Sequence, residues 1–150
     1  MSQLADITYS DPIPFVEEHH LEIREMVRRY AQEKVGPRAR EIDETKRFPH
    51  ETVGELRDLG LMGLPFPEKW GGAGLDYLSY IITVEELARV CGTTAITLAA
   101  HVSLGSNPIY EFGNDAQREK YLTKLASGET LGAFGLTEPG AGSDAGATAT

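Results

Sequence analysis

The chain has 150 residues, with 14 lysines and arginines against 23 aspartates and glutamates, for a formal net charge of -9. This length suits one ordinary globular domain. The acidic balance disfavours general nucleic-acid binding and attachment to an anionic membrane, because both depend on clustered Lys and Arg. A single cysteine, Cys91, excludes an internal disulfide framework, and no apolar run approaches the length of a membrane-spanning helix.

Residues Met1 to Pro14 are predicted to be an irregular lead-in, since prolines at 12 and 14 disfavour helix there. The start has neither the basic nor the apolar region of a secretory signal, and its lack of Arg makes it a poor transit peptide. We therefore expect a cytoplasmic protein or, alternatively, the mature form of a mitochondrial-matrix protein.

The first helical pattern begins near Phe15, where apolar residues recur at three- and four-residue steps. Gly36-Pro37 should interrupt or kink this helix, because proline cannot donate to the preceding turn. The pattern resumes weakly as far as Ile42 and then ends.

A second, shorter helix is predicted from His50 to Leu59, with Gly60 as its C-terminal stop. The residues from Pro65 to Asp76 are rich in glycine and proline and are typical of a connecting loop. Within this loop Trp70 is expected to point inward, and Asp76 is a candidate cap for the next helix.

Three more helices are predicted, at Tyr77–Val90, Thr94–Phe112 with a kink at Pro108, and Ala116–Ala126. The expected apolar face of the first of them consists of Ile81, Val84, Leu87 and Ala88. A strand is predicted at Thr130–Thr137. The sequence thus predicts an all-α domain at 1–129 and the beginning of a β domain at 130–150. A lone strand cannot satisfy its ladder hydrogen bonds, so we expect the chain to be part of a longer protein.

The most informative stretch is Phe134-Gly-Leu-Thr-Glu-Pro-Gly-Ala-Gly-Ser-Asp144. Its glycines permit close approach of a ligand to the backbone, and the hydroxyls of Thr137 and Ser143 add hydrogen-bonding groups. The next glycine, Gly146, lies one residue too late for a dinucleotide-binding fingerprint. From the pattern alone, a purely structural turn remains an equal alternative.

This stretch resembles the flavin- and substrate-binding signature of the acyl-CoA dehydrogenases, and the chain from about Pro14 onward resembles their N-terminal helical domain. The resemblance implies an all-α N-terminal domain followed by the first strand of a β-barrel domain. It also implies FAD as cofactor, an acyl-CoA substrate, a role in fatty acid metabolism and an electron-transferring flavoprotein as partner. The full-length protein would form a homotetramer.

The resemblance also assigns roles in the signature. Phe134, Leu136 and Thr137 would contact the isoalloxazine ring, with the Thr137 hydroxyl near the flavin N5. Gly142 would contact the cofactor, and Ser143 would contact both the cofactor and the acyl-CoA. Glu138 has no expected catalytic role.

The fourth predicted helix carries a second candidate site, formed by Ile96, Thr97, Ala100 and Leu104. Their three- and four-residue spacing by itself favours ordinary core packing. By resemblance, this face lines the acyl-chain cavity, where the small side chain of Ala100 would leave room.

The histidines do not suggest a metal site. His19 and His20 are adjacent and are expected to point to different faces of the helix. His101 lies in an otherwise apolar helix and is interpreted as a core histidine with its hydrogen bonds satisfied. Cys91 is interpreted as a small buried hydrophobic residue rather than a nucleophile.

The reaction implied by the resemblance is α,β-desaturation of an acyl-CoA thioester, with hydride transfer to the flavin. The family's catalytic base is a glutamate of its C-terminal domain, so the 150 residues alone should be inactive and should bind FAD poorly. Two alternatives stay open. One is a flavin oxidase or monooxygenase of the same fold, and the other is a non-catalytic helical interaction module.

Overall fold

The computed structural model describes residues 15–150, and this part of the chain is helical and contains no β-sheet. Five successive helical stretches pack around one apolar core. Eight α-helices are labelled in chain order: α1 (Glu18–Tyr30), α2 (Gly36–Thr45), α3 (His50–Asp58), α4 (Tyr77–Ala88), α5 (Gly92–Ala100), α6 (Asn107–Phe112), α7 (Asp115–Gln117) and α8 (Thr123–Ala126). The predicted lead-in at Met1–Pro14 lies outside the described residues. For residues 15–150 the prediction of an all-α domain is confirmed.

The first helical stretch continues through Gly36-Pro37, where an interruption or kink was expected. A π-helical turn, Ala31–Val35, joins α1 to α2, and the Gly36 N–H donates to the Ala31 carbonyl five residues back. Pro37 therefore lies in the first turn of α2, where its missing N–H costs little. A local change of hydrogen-bonding pattern thus accommodates the proline without ending the helix.

The α3 helix and the loop after it follow the sequence closely. Gly60, with φ of 72°, takes the left-handed conformation that ends the helix, and a 3₁₀ turn follows at Leu61–Gly63. Trp70 is buried in the loop, as predicted. Asp76 caps α4 by accepting a hydrogen bond from the Ser79 N–H at 2.8 Å, which confirms the expected cap.

The buried face of α4 agrees with the predicted one only in part. Leu87 is buried and Val84 packs against the core, as expected, but Ile81 is 54% exposed and Ala88 is exposed, whereas Ile82 and Thr83 are buried. The same face carries Glu86, whose carboxylate is 2% exposed. Because polar residues share the core side, the apolar pattern alone predicted only part of the buried face.

Glu86 joins α4 to α1. Arg28 donates to both of its carboxylate oxygens, at 2.7 and 2.9 Å. This two-point geometry is the strong form of an arginine–carboxylate pair. It compensates the burial of the Glu86 charge and fixes the relative position of the two helices.

The helical stretch that contains α5 and α6 accommodates Pro108 in the same way as the first stretch accommodates Pro37. A π-helical segment, His101–Ser106, joins α5 to α6, and the Asn107 N–H donates to the Val102 carbonyl. Pro108 follows in the first turn of α6. The last helical stretch starts at an Asn114–Gln117 capping box and runs through a third π segment, Arg118–Leu122, into α8.

The core lies where α4 packs on both α1 and α5, and buried residues of the Leu61–Trp70 region complete it. Its completely or almost completely buried side chains include Val27, Val35, Leu56, Phe66, Leu87, Leu98, Val102 and Leu122. Cys91 is also buried in this core, as predicted.

The predicted strand at Thr130–Thr137 does not form a β-ladder in the described part of the chain. Only an isolated antiparallel bridge is present, between Glu138 and Ala141, where each residue's N–H donates to the other's carbonyl. A strand needs a partner strand, and none of the residues 15–150 provides one. The division into domains at 129/130 stays a prediction.

Candidate functional site

The glycine-rich signature forms an irregular segment on the surface of the helical domain. Phe134 is 53% exposed, and Leu136, Thr137, Gly142 and Ser143 are exposed as well. Exposed large apolar side chains beside an exposed hydroxyl are typical of a surface that receives another molecule or another part of the protein. The cofactor roles predicted for these residues stay a prediction.

Backbone donors are also available in this segment. Among the described residues, no backbone or side-chain acceptor takes the N–H groups of residues 133–137. A molecule that covers this surface must supply hydrogen-bond acceptors for the N–H groups of residues 133–137. The segment therefore suits a ligand with several acceptor atoms.

A tight turn holds the second half of the signature. The Glu138–Ala141 bridge closes this turn around Pro139 and Gly140, and Ala141 is buried beneath it. The sequence indicated a turn here because Pro and Gly favour one.

Glu138 has a structural role that the sequence did not reveal. Its carboxylate accepts hydrogen bonds from the backbone N–H groups of Ala149 and Thr150, at 2.9 and 3.1 Å. The bond from Ala149, with help from Thr150, holds the pKa of Glu138 below its ordinary value. The carboxylate is therefore engaged as a backbone acceptor in its ionised form.

The second candidate set lies on α5 and the π segment that follows. Ile96 is 64% exposed and Leu104 is 47% exposed, while Thr97 and Ala100 are half-buried. The interpretation as ordinary core is therefore wrong for Ile96 and Leu104. The hydroxyl of Thr97 donates to the Thr93 carbonyl at 2.8 Å, which leaves its methyl group and its oxygen lone pairs available. Their expected role in lining the acyl cavity stays a prediction.

The two candidate sets are joined at one point. Gly132 lies directly against Gly105 of the π segment: a Cβ placed on Gly105 would be 2.8 Å from the Gly132 Cα. The Gly132 N–H donates to His101 Nδ1 at 2.8 Å. The chain is thus anchored, two residues before the signature segment, on the helix that carries Leu104 and Ala100.

Sequence reasoning treated His101 as a satisfied core residue, and its burial and two hydrogen bonds confirm that interpretation. It did not identify the contact between His101 and the signature segment. A glycine inside a helical pattern, as at Gly105, was the available signal, because such a glycine often marks a close approach of another backbone.

His19 and His20 contact the same partner, contrary to the prediction that they face different ways. The Nε2 atoms of His19 and His20 lie 3.4 and 2.9 Å from Asp76 Oδ2, and the two rings are 3.8 Å apart. Both residues lie in the first turn of α1, next to the start of α4, so adjacent side chains can converge on the Asp76 cap.

These three side chains could in principle hold a metal ion. However, His20 Nδ1 accepts the Glu17 N–H at 2.9 Å, which places its ring proton on Nε2, toward Asp76. Metal binding at His20 Nε2 would move the proton to Nδ1, against the Glu17 donor. The cluster is therefore explained as a hydrogen-bonded link between the N-termini of α1 and α4.

A surface pocket of about 460 Å³ lies elsewhere, lined by Pro108, Ile109, Phe112, Gly113, Gln117 and Tyr121. None of these residues belongs to either candidate set. In the part of the chain that the structure covers, no helix is long and apolar enough to cross a membrane.

Comparison with known proteins gives concordant matches. A family model described as the N-terminal domain of acyl-CoA dehydrogenase matches residues 17–129. The short-chain specific acyl-CoA dehydrogenase of Clostridium acetobutylicum is 56% identical over 128 residues, which cover 85% of this chain and 34% of that protein. The chain therefore spans about a third of the length of this relative.

Two solved structures have the same fold. One is described as the electron transferring flavoprotein of Acidaminococcus fermentans, with a TM-score of 0.86 and 43% identity over 91% of this chain and 36% of that chain. The other is an acyl-CoA dehydrogenase of Bacillus anthracis complexed with FAD, with a TM-score of 0.82 and 40% identity over 89% of this chain and 23% of that chain.

Proposed function

The chain belongs to the acyl-CoA dehydrogenase family, and from this premise we propose that it is the N-terminal part of a flavin-dependent enzyme that desaturates an acyl-CoA thioester between its α and β carbons. The observation that carries the proposal is the exposed signature segment from Phe134 to Ser143, anchored at Gly132 on the helix with the second candidate set. The relative of known structure that contains FAD supports this cofactor.

The described residues suit FAD. An isoalloxazine ring has two apolar faces and a polar edge of ring nitrogens and carbonyls. Phe134 and Leu136 offer exposed apolar side chains, and the N–H groups of 133–137 are available beside them. When bound, FAD supplies the acceptor for the hydride that leaves the β carbon of the substrate.

In this proposal the residues of the segment bind and orient rather than react. Phe134 and Leu136 would pack against the ring and exclude water from one of its sides. The Thr137 hydroxyl would donate a hydrogen bond to the ring near N5, and Gly142 and Ser143 would contact cofactor and thioester. Backbone donors directed at the carbonyl edge of the ring favour negative charge there.

Glu138 is not proposed as the base that removes the α proton. Its carboxylate is held by two backbone N–H groups, and its pKa is lowered by these bonds, so it is a poor proton acceptor. The base is proposed to belong to a part of the protein outside these 150 residues.

The exposed face of α5 and the following π segment is proposed to receive the acyl chain. Ile96 and Leu104 offer apolar surface, and Ala100 between them is small. The similarity to a short-chain specific relative favours a short saturated acyl group.

The electron acceptor is proposed to be an electron-transferring flavoprotein. A chain with this fold occurs in a structure that concerns the electron transferring flavoprotein of Acidaminococcus fermentans, and this supports the pairing. The full-length protein is further proposed to be a homotetramer.

The decisive experiment uses the full-length protein purified with its flavin. Under anaerobic conditions, addition of butyryl-CoA should bleach the visible flavin absorption, and the enoyl-CoA product should be detected by mass spectrometry. A colourless protein that cannot be reconstituted with FAD would contradict the proposal. A flavoprotein reduced by butyryl-CoA that passes its electrons only to oxygen would identify an oxidase instead.

A matched pair of variants tests the role of the segment. Thr137→Val removes one hydroxyl at constant shape and should lower kcat by about tenfold, the effect of one lost hydrogen bond. Thr45→Val removes a hydroxyl that bonds to the Glu41 carbonyl at the end of α2, and it should leave kcat unchanged. Equal kcat values for the two variants would remove Thr137 from the proposed site.

A further inference from the structure

His101 is completely buried between the α5–α6 helix, the end of α8 and the start of the signature segment. Its Nδ1 accepts the Gly132 N–H at 2.8 Å, and its Nε2 lies 3.1 Å from the Leu125 carbonyl oxygen. Because an N–H group can only donate and a carbonyl can only accept, the ring must be neutral, with its proton on Nε2. The two bonds fix both the tautomer and the orientation of the ring.

The contact between the two backbones next to this histidine leaves little space for a side chain at either glycine. A Cβ on Gly132 would lie 3.1 Å from the Gly105 Cα and 3.3 Å from His101 Nδ1. The segment therefore touches the helix through main-chain atoms and is held there by the imidazole. Phe134 follows Gly132 by only two residues, so its position depends on the Gly132–His101 contact.

We propose that His101 is a positioning residue for the flavin site: by accepting the Gly132 N–H, it sets where the segment Phe134–Thr137 stands relative to the helix that carries Ala100 and Leu104. This inference rests on the proposed function. The Leu125 carbonyl holds the ring from the opposite edge, so the segment cannot move away from the helix without breaking the partly buried Gly132–His101 hydrogen bond.

Burial supports the role, because it lowers the pKa of His101 against the opposing effect of hydrogen bonding to the backbone at Leu125 and Met62. The ring thus stays neutral, and Nδ1 stays an acceptor, at neutral pH. A protonated ring would present an N–H to the Gly132 N–H and would release the segment.

The test separates the two edges of the ring. In full-length protein, His101→Asn places an amide oxygen near the position of Nδ1, whereas His101→Gln reaches toward the Nε2 position and loses the acceptor for Gly132. Both variants should lose stability. His101→Asn should keep kcat within about threefold, whereas His101→Gln should lower kcat about tenfold or more and shift the flavin spectrum, as expected for a displaced ring contact.

Thr83→Val is the matched control for stability. Its hydroxyl is buried in α4 and donates to the Ser79 carbonyl, away from the signature segment. It should lower the melting temperature without changing kcat or the flavin spectrum. Equal losses of kcat in His101→Asn and His101→Gln, or an equal loss in Thr83→Val, would overturn the role of His101.

A measurement on the unsubstituted protein covers the case in which the variants do not fold. The Gly132 amide should exchange slowly with solvent, and ¹⁵N NMR should show an unprotonated Nδ1 in His101. A fast-exchanging Gly132 amide or a proton on Nδ1 would overturn the inference. Unsubstituted protein that lacks flavin and desaturase activity would instead refute the proposed function, so the two failures are distinct.

Discussion

At the scale of single residues, Asp76 shows how one carboxylate can organise two helices. It accepts the Ser79 N–H as the cap of α4 and also the Nε2–H of His20 from α1. The capping role was predictable, because Asp before an apolar helical pattern is a strong local signal. The contact with His20 was not, since it joins residues 56 positions apart.

The charge of the Asp76 carboxylate should make the free energy of unfolding depend on pH. Burial alone would raise the pKa of Asp76, but the hydrogen bonds from Ser79 and His20 outweigh it and hold the pKa well below its usual range. A pKa lowered by folding contributes stability above the unfolded value near about 3.9, and this contribution is lost as the pH falls through and below it. Asp76→Asn keeps a capping side chain without the charge, so it should be less stable than the natural protein at pH 7.

The free-energy gap between Asp76→Asn and the natural protein should close as the pH falls below about 4, as measured by urea unfolding. Asp58→Asn is the control, because Asp58 pairs with the neighbouring Arg57 at the surface of the described part of the chain. It should change the free energy of unfolding by less than about 0.5 kcal/mol at pH 7. A gap for Asp76→Asn that does not depend on pH would contradict the assignment of its charge.

Two glycines should respond to alanine in opposite directions. Gly54 lies inside α3, and a Cβ there would meet no atom within 4 Å. Gly54→Ala should therefore raise the free energy of unfolding by about 0.5–1 kcal/mol. Gly128 has φ of 75°, and a Cβ there would lie 2.7 Å from the Arg57 Cγ.

Gly128→Ala should accordingly lower the free energy of unfolding by more than about 1 kcal/mol, because both the backbone and the neighbouring side chain would have to shift. Urea unfolding of both variants against the natural protein checks the pair. A stabilising effect at Gly128 would show that this turn relaxes more freely than its geometry indicates.

At the scale of elements, each of two prolines inside a helical stretch follows a π segment. Ala31–Val35 precedes Pro37, and His101–Ser106 precedes Pro108. In an α-helix a proline ring collides with the carbonyl four residues back and leaves that carbonyl unpaired. After the wider π turn a new α-helix begins, and the proline lies in the first turn of that helix.

Pro37→Ala should therefore have a small effect, less than about 1 kcal/mol, instead of the roughly 3 kcal/mol gain expected from removing a proline inside a regular helix. The control is Arg40→Pro, which puts a proline at an exposed position deeper inside α2 and should cost about 3 kcal/mol or more. Chemical unfolding measures both. A large gain from Pro37→Ala would mean that the proline strains this helical stretch.

The sequence located the helices well and their internal hydrogen bonding poorly. The apolar period and the glycine stops at Gly60 and Gly113 determine where helices lie and end. Whether a proline breaks a helix or is absorbed depends on packing against its neighbours, which a local pattern does not contain. Of the candidate site, the signature turn was predictable from its Pro and Gly residues, but the His101–Gly132 bond was not, because it joins two segments 31 residues apart.

At the scale of the whole molecule, the large apolar candidate side chains are exposed rather than enclosed in a pocket. Ile96, Leu104, Phe134 and Leu136 are each more than 40% exposed. Binding sites for small molecules usually cover 70–90% or more of the ligand surface. Residues 15–150 therefore supply one side of the proposed site.

The 150-residue chain should for this reason bind FAD weakly, whereas the full-length protein should be stabilised by it. For full-length protein, FAD at about 100 times its dissociation constant should add about 2.7 kcal/mol to the free energy of unfolding. The melting temperature of the 150-residue chain at the same FAD concentration should not change. An equal rise in both proteins would place the whole cofactor site within these residues.

The crossing of Gly105 and Gly132 has a consequence for anyone who wishes to redesign substrate scope. The two main chains are in direct contact there, so any larger residue at position 105 or 132 would push the helix and the loop apart before it changed the volume of the acyl cavity. Diversity directed at Ala100 and Leu104 would leave that junction intact and alter only the lining.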